Sequence, residues 1–289
     1  MSKRTRNREL ARLAKRRQQE KRRRERKRQT TIAVALVVAV IGGAVAFVAF
    51  TGDEPVPQAT GPTGPTGSPT ASPSPEGEPG TQIGTVDPAP GPRVVACDAE
   101  APKGATEPKP QFNAPANVLK NGRSYTATFE TSCGDIVVEL LVDRAPQTVN
   151  SFVFLAEQGF FDATRILRLD TSIDVIQGGD PTSTGTGGPG YTIPDELQGD
   201  EAYGPGTLAM ANSGAPNSGG SQFFLIAGEN GHNLDASPSY TIFGEVIEGL
   251  DVAETILGLE IQDPEGGFEG QQPAEAVYIE TVTISSTRT

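Results

Sequence analysis

The chain has no tryptophan, one histidine, two cysteines and two methionines among 289 residues. That inventory argues against a structural zinc site, which uses four Cys or His ligands. It also leaves His232 as the only imidazole available as a general base. No G-x-S-x-G elbow is present, which argues against a serine hydrolase of that type. A glycine-rich stretch at 184–190, TGTGGPG, lacks the Lys-Ser/Thr ending and the following helix of a phosphate loop. The apolar fraction, 36%, is low for a fully packed chain, so part of the sequence is expected to stay outside any core.

What charge there is lies unevenly. Residues 1–31 hold 15 of the 24 Lys and Arg but only 3 of the 36 acidic residues, a net of +12 against −24 for the rest. Residues 32–50 (IAVALVVAVIGGAVAFVAF) follow without a charge. A helix of that length spans roughly 28 Å, close to the hydrocarbon core of a bilayer. A basic block before such a run stays in the cytoplasm. The expected arrangement is a basic cytoplasmic tail (1–31), one transmembrane helix (32–50) and an extracytoplasmic remainder, a single-pass protein of the cell membrane. A cleaved signal peptide is the alternative, disfavoured by the length of the run and of the basic region. The tail is expected to bind no specific nucleic acid.

Residues 51–92, rich in Pro, Gly, Ser and Thr, are expected to form a disordered linker, reaching up to about 120 Å as polyproline II. Residues 93–122 read as an irregular arm and 123–289 as the folded domain. With both cysteines outside the membrane, a Cys97–Cys133 disulfide stapling arm to domain is expected, the alternative being two separate buried thiols. Strand-like runs cover 124–130 and 135–142, and later 173–177, 207–211, 222–226, 241–246 and 277–284. One helix is expected from Pro146 to a stop at Gly159, with Val149, Phe152, Val153 and Ala156 on one face. A second fits 250–257. Short strands, glycine turns and two helices suggest a mostly β, closed barrel.

Four stretches in order are similar to bacterial cyclophilins, a family of peptidyl-prolyl cis-trans isomerases: APQTVNSFVFLAEQGFFD (145–162), IQGGDPTSTGTGGPGYTIPDE (176–196), GTLAMANSGAPNSGGSQFFL (206–225) and YTIFGEVIEGLDV (240–252). The resemblance implies an eight-stranded antiparallel barrel capped by two helices, acting on proline-containing polypeptides without a cofactor or metal. Rotation about an X–Pro amide meets a barrier of about 18–20 kcal/mol. A cation that hydrogen-bonds the prolyl nitrogen as it pyramidalises stabilises the twisted state selectively.

By the resemblance Arg168 supplies that cation, in a Phe-His-Arg position occupied here by Ile166-Leu167-Arg168. Gln177 holds the substrate carbonyl and supports the arginine, Asn212 binds through its backbone, and Gln222 lies along the groove. Met210, Phe224, Leu234 and Tyr240 wall the proline pocket, whereas Phe223 alternates into the core. Asp174 and Val175 occupy the pocket floor, where the family has an aromatic residue in place of Asp174. A carboxylate there needs a partner, and Arg168 is the expected one. Asn233 stands at the family's indole or imidazole position. These departures keep a second reading open, a proline-peptide binding or scaffold module with weak turnover.

Overall fold

The structure, a computed structural model, describes residues 78–88, 94–263 and 271–288. The expected tail, the apolar run at 32–50 and the linker up to residue 77 lie outside them. Among the described residues no helix is long and apolar enough to cross a membrane.

The domain begins with two strands whose sequences alternate between the inside and outside of a sheet. Strand β3 (Arg123–Thr131) buries Tyr125, Ala127 and Phe129, and β4 (Gly134–Leu140) buries Ile136, Val138 and Leu140. The turn between them is closed by the Thr131 hydroxyl, which donates to the Gly134 carbonyl at 2.6 Å. Helix α1 (Pro146–Glu157) follows, with proline in its first turn. There the missing N–H costs nothing.

After α1 come β5 (Thr164–Arg165), β6 (Arg168–Asp170), β7 (Val175–Gly178), β8 (Thr207–Met210) and β9 (Phe223–Ile226). A 3-10 turn (Glu229–Leu234), β10 (Ile242–Glu248), α2 (Leu250–Leu257) and β11 (Tyr278–Arg288) complete the chain. These strands form one antiparallel sheet in the order β5-β11-β3-β4-β10-β8-β9-β7-β6. The two outermost strands, β5 and β6, are separated in the chain only by Ile166 and Leu167. Ile166 N–H donates to Val277 on one side and Leu167 N–H to Gln177 on the other, at 2.9 and 2.8 Å. The sheet therefore curls until its edges are consecutive pieces of chain; counted as one interrupted strand, they make eight. This curling leaves neither edge open to pair with another chain.

Phe152 of α1 fills the interior, with its ring centroid 5.0 Å from Phe161, 5.4 Å from Phe243, 5.8 Å from Phe129 and 5.9 Å from Phe223. The amphipathic pattern of α1 accounts for this face but not for Phe154, which is also buried. Its cover is the arm: Phe112 packs edge-on against Phe154 at 4.9 Å.

The arm departs from the expectation of irregular chain. Strand β1 (Gln82–Val86) pairs antiparallel with β2 (Lys109–Phe112). A strand thus lies inside the stretch 51–92 that was expected to be linker. The Pro/Gly composition of that stretch hides the segment QIGTV, whose β-branched residues suit a strand. Cys97 and Cys133 form the expected disulfide, tying the arm to the β3–β4 turn with their Cα atoms 5.3 Å apart.

Candidate active site

Strand register decides which side chains share the outer face. Arg168 is paired with Gln177, Gln177 with Phe224, Phe224 with Ala209 and Ala209 with Ile242. Directly opposed residues point the same way, so these five side chains form a row across β6, β7, β9, β8 and β10. The next row carries Asp170, Val175 and Ile226. Val175, Tyr203, Ala209, Phe224, Ile226 and Ile242 make a second apolar cluster, separate from the interior. Ile173, Ala211, Leu234 and Tyr240 pack against it. The result is an apolar patch on the outside of the sheet with Arg168 and Gln177 at its margin.

Each wall of that patch is held by identifiable bonds. Phe224 and Tyr240 meet edge to face with ring centroids 5.0 Å apart. Tyr240 is fixed from beneath by Tyr203, whose hydroxyl donates to the Tyr240 carbonyl at 2.9 Å and accepts its N–H at 3.0 Å. Burial raises the Tyr203 phenol above its ordinary pKa. The Tyr203 N–H in turn donates to Asp235 at 2.8 Å, and this bond, with a lesser part from the His232 ring, holds the Asp235 carboxyl below the usual range. His232 is thus bound to Asp235, with its Nδ1 2.8 Å away.

Two expectations about the site are corrected. Asp174 does not pair with Arg168. It has φ 50°, a left-handed conformation that Asp tolerates, and its carboxylate accepts the backbone N–H and the side-chain amide of Asn230 at 2.8 and 2.9 Å. Asp174 therefore anchors the 3-10 turn that carries Leu234 rather than standing in the pocket floor. Arg168 is oriented instead by Asp170, which contacts its Nη2, and by Gln271, whose side-chain oxygen accepts from Nε at 2.6 Å. Asp170 is two residues along the same strand and so on the same face. The second correction concerns Met210. It pairs with Phe223 and belongs to the interior cluster, because alternation along β8 turns Ala209 and Ala211, not Met210, toward the patch.

Gln177 is buried, and its Nε2 donates to Gln222 Oε1 at 3.1 Å. Gln222 Nε2 donates to the carbonyls of Gly185 and Gly187, both at 3.0 Å. Those glycines belong to a loop organised by Asp180, which is fully buried. Its carboxylate accepts from the Thr182 N–H and hydroxyl, both at 2.7 Å, from Gly185 N–H at 2.7 Å and from Gly187 N–H at 3.1 Å. A Cβ at Gly187 would lie 2.1 Å from Asp180 Oδ1, so the loop closes this tightly only around glycine. Gly179, at φ +82°, would place a Cβ 2.2 Å from the Ser221 carbonyl. The Q-G-G-D sequence thus combines a groove amide, a close strand approach and a buried loop anchor. Asn212 sits at the groove rim, where its side chain donates to Ser239 O at 2.8 Å and accepts from Gly214 N–H at 3.0 Å.

Sequence reasoning missed Ala211, Ile173, Tyr203 and Asp170. The face of Ala211 follows from the pairing of Ala209 with Phe224, which no local pattern shows. Nothing local marks Tyr203, which reaches Tyr240 through the fold.

The chain matches the family described as "Cyclophilin type peptidyl-prolyl cis-trans isomerase/CLD" over residues 126–284. The chain belongs to this family. It is 40% identical over 176 residues to the probable peptidyl-prolyl cis-trans isomerase B of Mycobacterium leprae, covering 56% of this chain and 57% of that protein. It is 39% identical over 179 residues to the peptidyl-prolyl cis-trans isomerase A of Mycobacterium tuberculosis, covering 55% of this chain and 92% of that protein. The chain spans about half the length of the isomerase B relatives it matches, 57% and 52%. A crystal structure of a Cryptosporidium parvum cyclophilin type peptidyl-prolyl cis-trans isomerase has a TM-score of 0.49, with 28% identity, and aligns with 57% of this chain and 99% of its own. The cyclophilin match begins three residues after the start of β3 and leaves the arm outside.

Proposed function

We propose that this cyclophilin catalyses cis-trans isomerisation of X–Pro bonds in polypeptides. The observation that carries the reading is the row Arg168–Gln177–Phe224, which sets a guanidinium two strands, roughly 10 Å, from the centre of an apolar patch. A proline ring on Phe224, walled by Tyr240, Leu234 and Ala211, brings its amide toward that guanidinium. Donation from Arg168 to the pyramidal prolyl nitrogen lowers the barrier, while Gln177 and the Asn212 backbone hold the neighbouring peptide groups. No covalent step is involved, and each 1.36 kcal/mol gained only in the twisted state is worth about tenfold in rate. Exchange spectroscopy on a short X–Pro peptide with the full chain tests this: cross-peaks between cis and trans resonances grow with enzyme, and their absence at stoichiometric protein rejects the reading.

A second reading has one observation in its favour. Asp170 already occupies Arg168, and a paired guanidinium presents a weaker field to a substrate nitrogen. A domain that binds proline segments without accelerating them would follow.

The charge asymmetry, the apolar run at 32–50 and a disulfide that suits an oxidising compartment support a membrane-anchored enzyme facing outward, with exported polypeptides as substrates. Labelling of membrane-bound chain by an impermeant reagent at Lys103 and Lys120, but not at residues of the basic tail, would agree; the reverse pattern would reject it.

A further inference from the structure

Beside the apolar patch runs a groove of about 710 Å³ that shares Ala211 with it and is also lined by Asn212 and Gln222. One side is the 185–192 loop, another the 211–222 segment, and the third is Gln111 of the arm. Gln111 lies outside the part of the chain that matches the family. It is held against the loop by two bonds: its Nε2 donates to Gly188 O at 3.2 Å, and the adjacent Phe112 N–H donates to Pro189 O at 2.7 Å. Phe112 itself is buried, and its ring against Phe154 ties β2 to α1. The arm is therefore docked against the loop along its backbone and through its core, and the disulfide anchors its other end.

We propose that Gln111 is a specificity-determining residue, forming an arm-built wall of a subsite that takes a neutral hydrogen-bonding side chain of the polypeptide flanking the proline. This rests on the groove's being the substrate site. Beside the apolar Pro189 and Ala211, the polar lining side chains are amides and hydroxyls, Gln111, Thr186, Thr192, Ser213 and Ser218 among them, and no charged side chain lines it among the described residues. A Lys or Glu entering here loses hydration without meeting a counter-charge, whereas Gln, Asn, Ser or Thr exchanges water for protein partners. The selection is thus for neutral polarity, set jointly by the barrel loops and by a segment the family match leaves out.

The test uses the full chain as wild type, Gln111→Glu and Gln111→Lys, with hexapeptides containing one proline. The second residue from the proline, on each side in turn, is Gln, Glu or Lys. Affinity is measured by calorimetry and turnover by exchange spectroscopy. At one of the two positions wild type should favour Gln about fivefold over both charged residues. Gln111→Glu should shift preference at that same position toward Lys, and Gln111→Lys toward Glu, by about threefold or more. Retention of the near-ultraviolet circular dichroism and of the disulfide shows the arm still docked. An identical order of preference in all three proteins overturns the proposal while leaving the isomerase reading intact. Binding with opposite shifts but without turnover supports the subsite and removes the isomerase reading alone. Binding of no peptide removes both.

Discussion

Replacing Asp180 by Asn is the most informative single change away from the apolar patch. The substitution keeps size and shape and exchanges one carboxylate oxygen for an NH2. In the structure Oδ1 serves the Thr182 N–H and hydroxyl, and Oδ2 serves Gly185 N–H, Gly187 N–H and, at 3.4 Å, Gln222 Nε2. The least costly amide orientation puts NH2 at the Thr182 side, where the hydroxyl turns to accept but the backbone N–H is orphaned. A buried orphan donor costs about 1–3 kcal/mol, and the two glycine bonds lose their charge assistance. The sum is about 2–4 kcal/mol, within what a domain of ordinary stability survives. The loop should loosen, and the carbonyls that fix Gln222 move with it. We expect urea denaturation to give that loss and exchange kinetics to give a fall of about tenfold in kcat/KM, equivalent to about 1.4 kcal/mol. Stability unchanged to within about 0.5 kcal/mol would refute the anchoring role. A full stability loss with unaltered kcat/KM would refute the link from loop to groove.

Removing the disulfide as Cys97→Ser/Cys133→Ser frees a loop with a sequence separation of 36 residues. The chain-entropy relation puts the loss near 4 kcal/mol as an upper value, read as a shift in the urea midpoint with the slope little changed; no shift would show the arm held by packing alone. Lys109 is buried in β2, and desolvation lowers its pKa below 10.5 despite the opposing charges of Asp162 and Glu107. Between its folded value and 10.5 the unfolded chain binds more protons, so stability attributable to this group rises with pH. Lys109→Met should therefore raise the melting temperature at pH 7, with an advantage that shrinks as pH approaches 10.5; a constant difference across that range would contradict the assignment.

Much of this was readable in the sequence, and the parts that were not have physical reasons. Phe223 and Phe224 are adjacent and point to opposite faces, as strict alternation requires, and the structure puts one in each apolar cluster. Met210 was misplaced because its face depends on register with β9, which is a property of pairing and not of the local string. Strands β5 and β6 have two and three residues, too few for any periodicity to register. Without β6, the carboxylate two positions after Arg168 went unnoticed and the more distant Asp174 was chosen as its partner. Strand β1 was lost in a segment whose composition is dominated by its proline-rich neighbours. The Cys97–Cys133 pairing was legible because only two cysteines exist.

The central claim is that the Arg168 guanidinium stabilises the twisted amide. Removing it alone would leave the buried Asp170 carboxylate, which otherwise accepts only from Ser172 among the bonds described, without its counter-charge, so the comparison is between Asp170→Ala and Arg168→Ala/Asp170→Ala, by exchange spectroscopy on one X–Pro peptide with affinity measured in parallel. The expected result is a fall in kcat of about a hundredfold or more from the single to the double variant, with peptide Kd within about threefold, as for loss of a donor that acts only in the transition state. Equal turnover in the two variants would contradict the account.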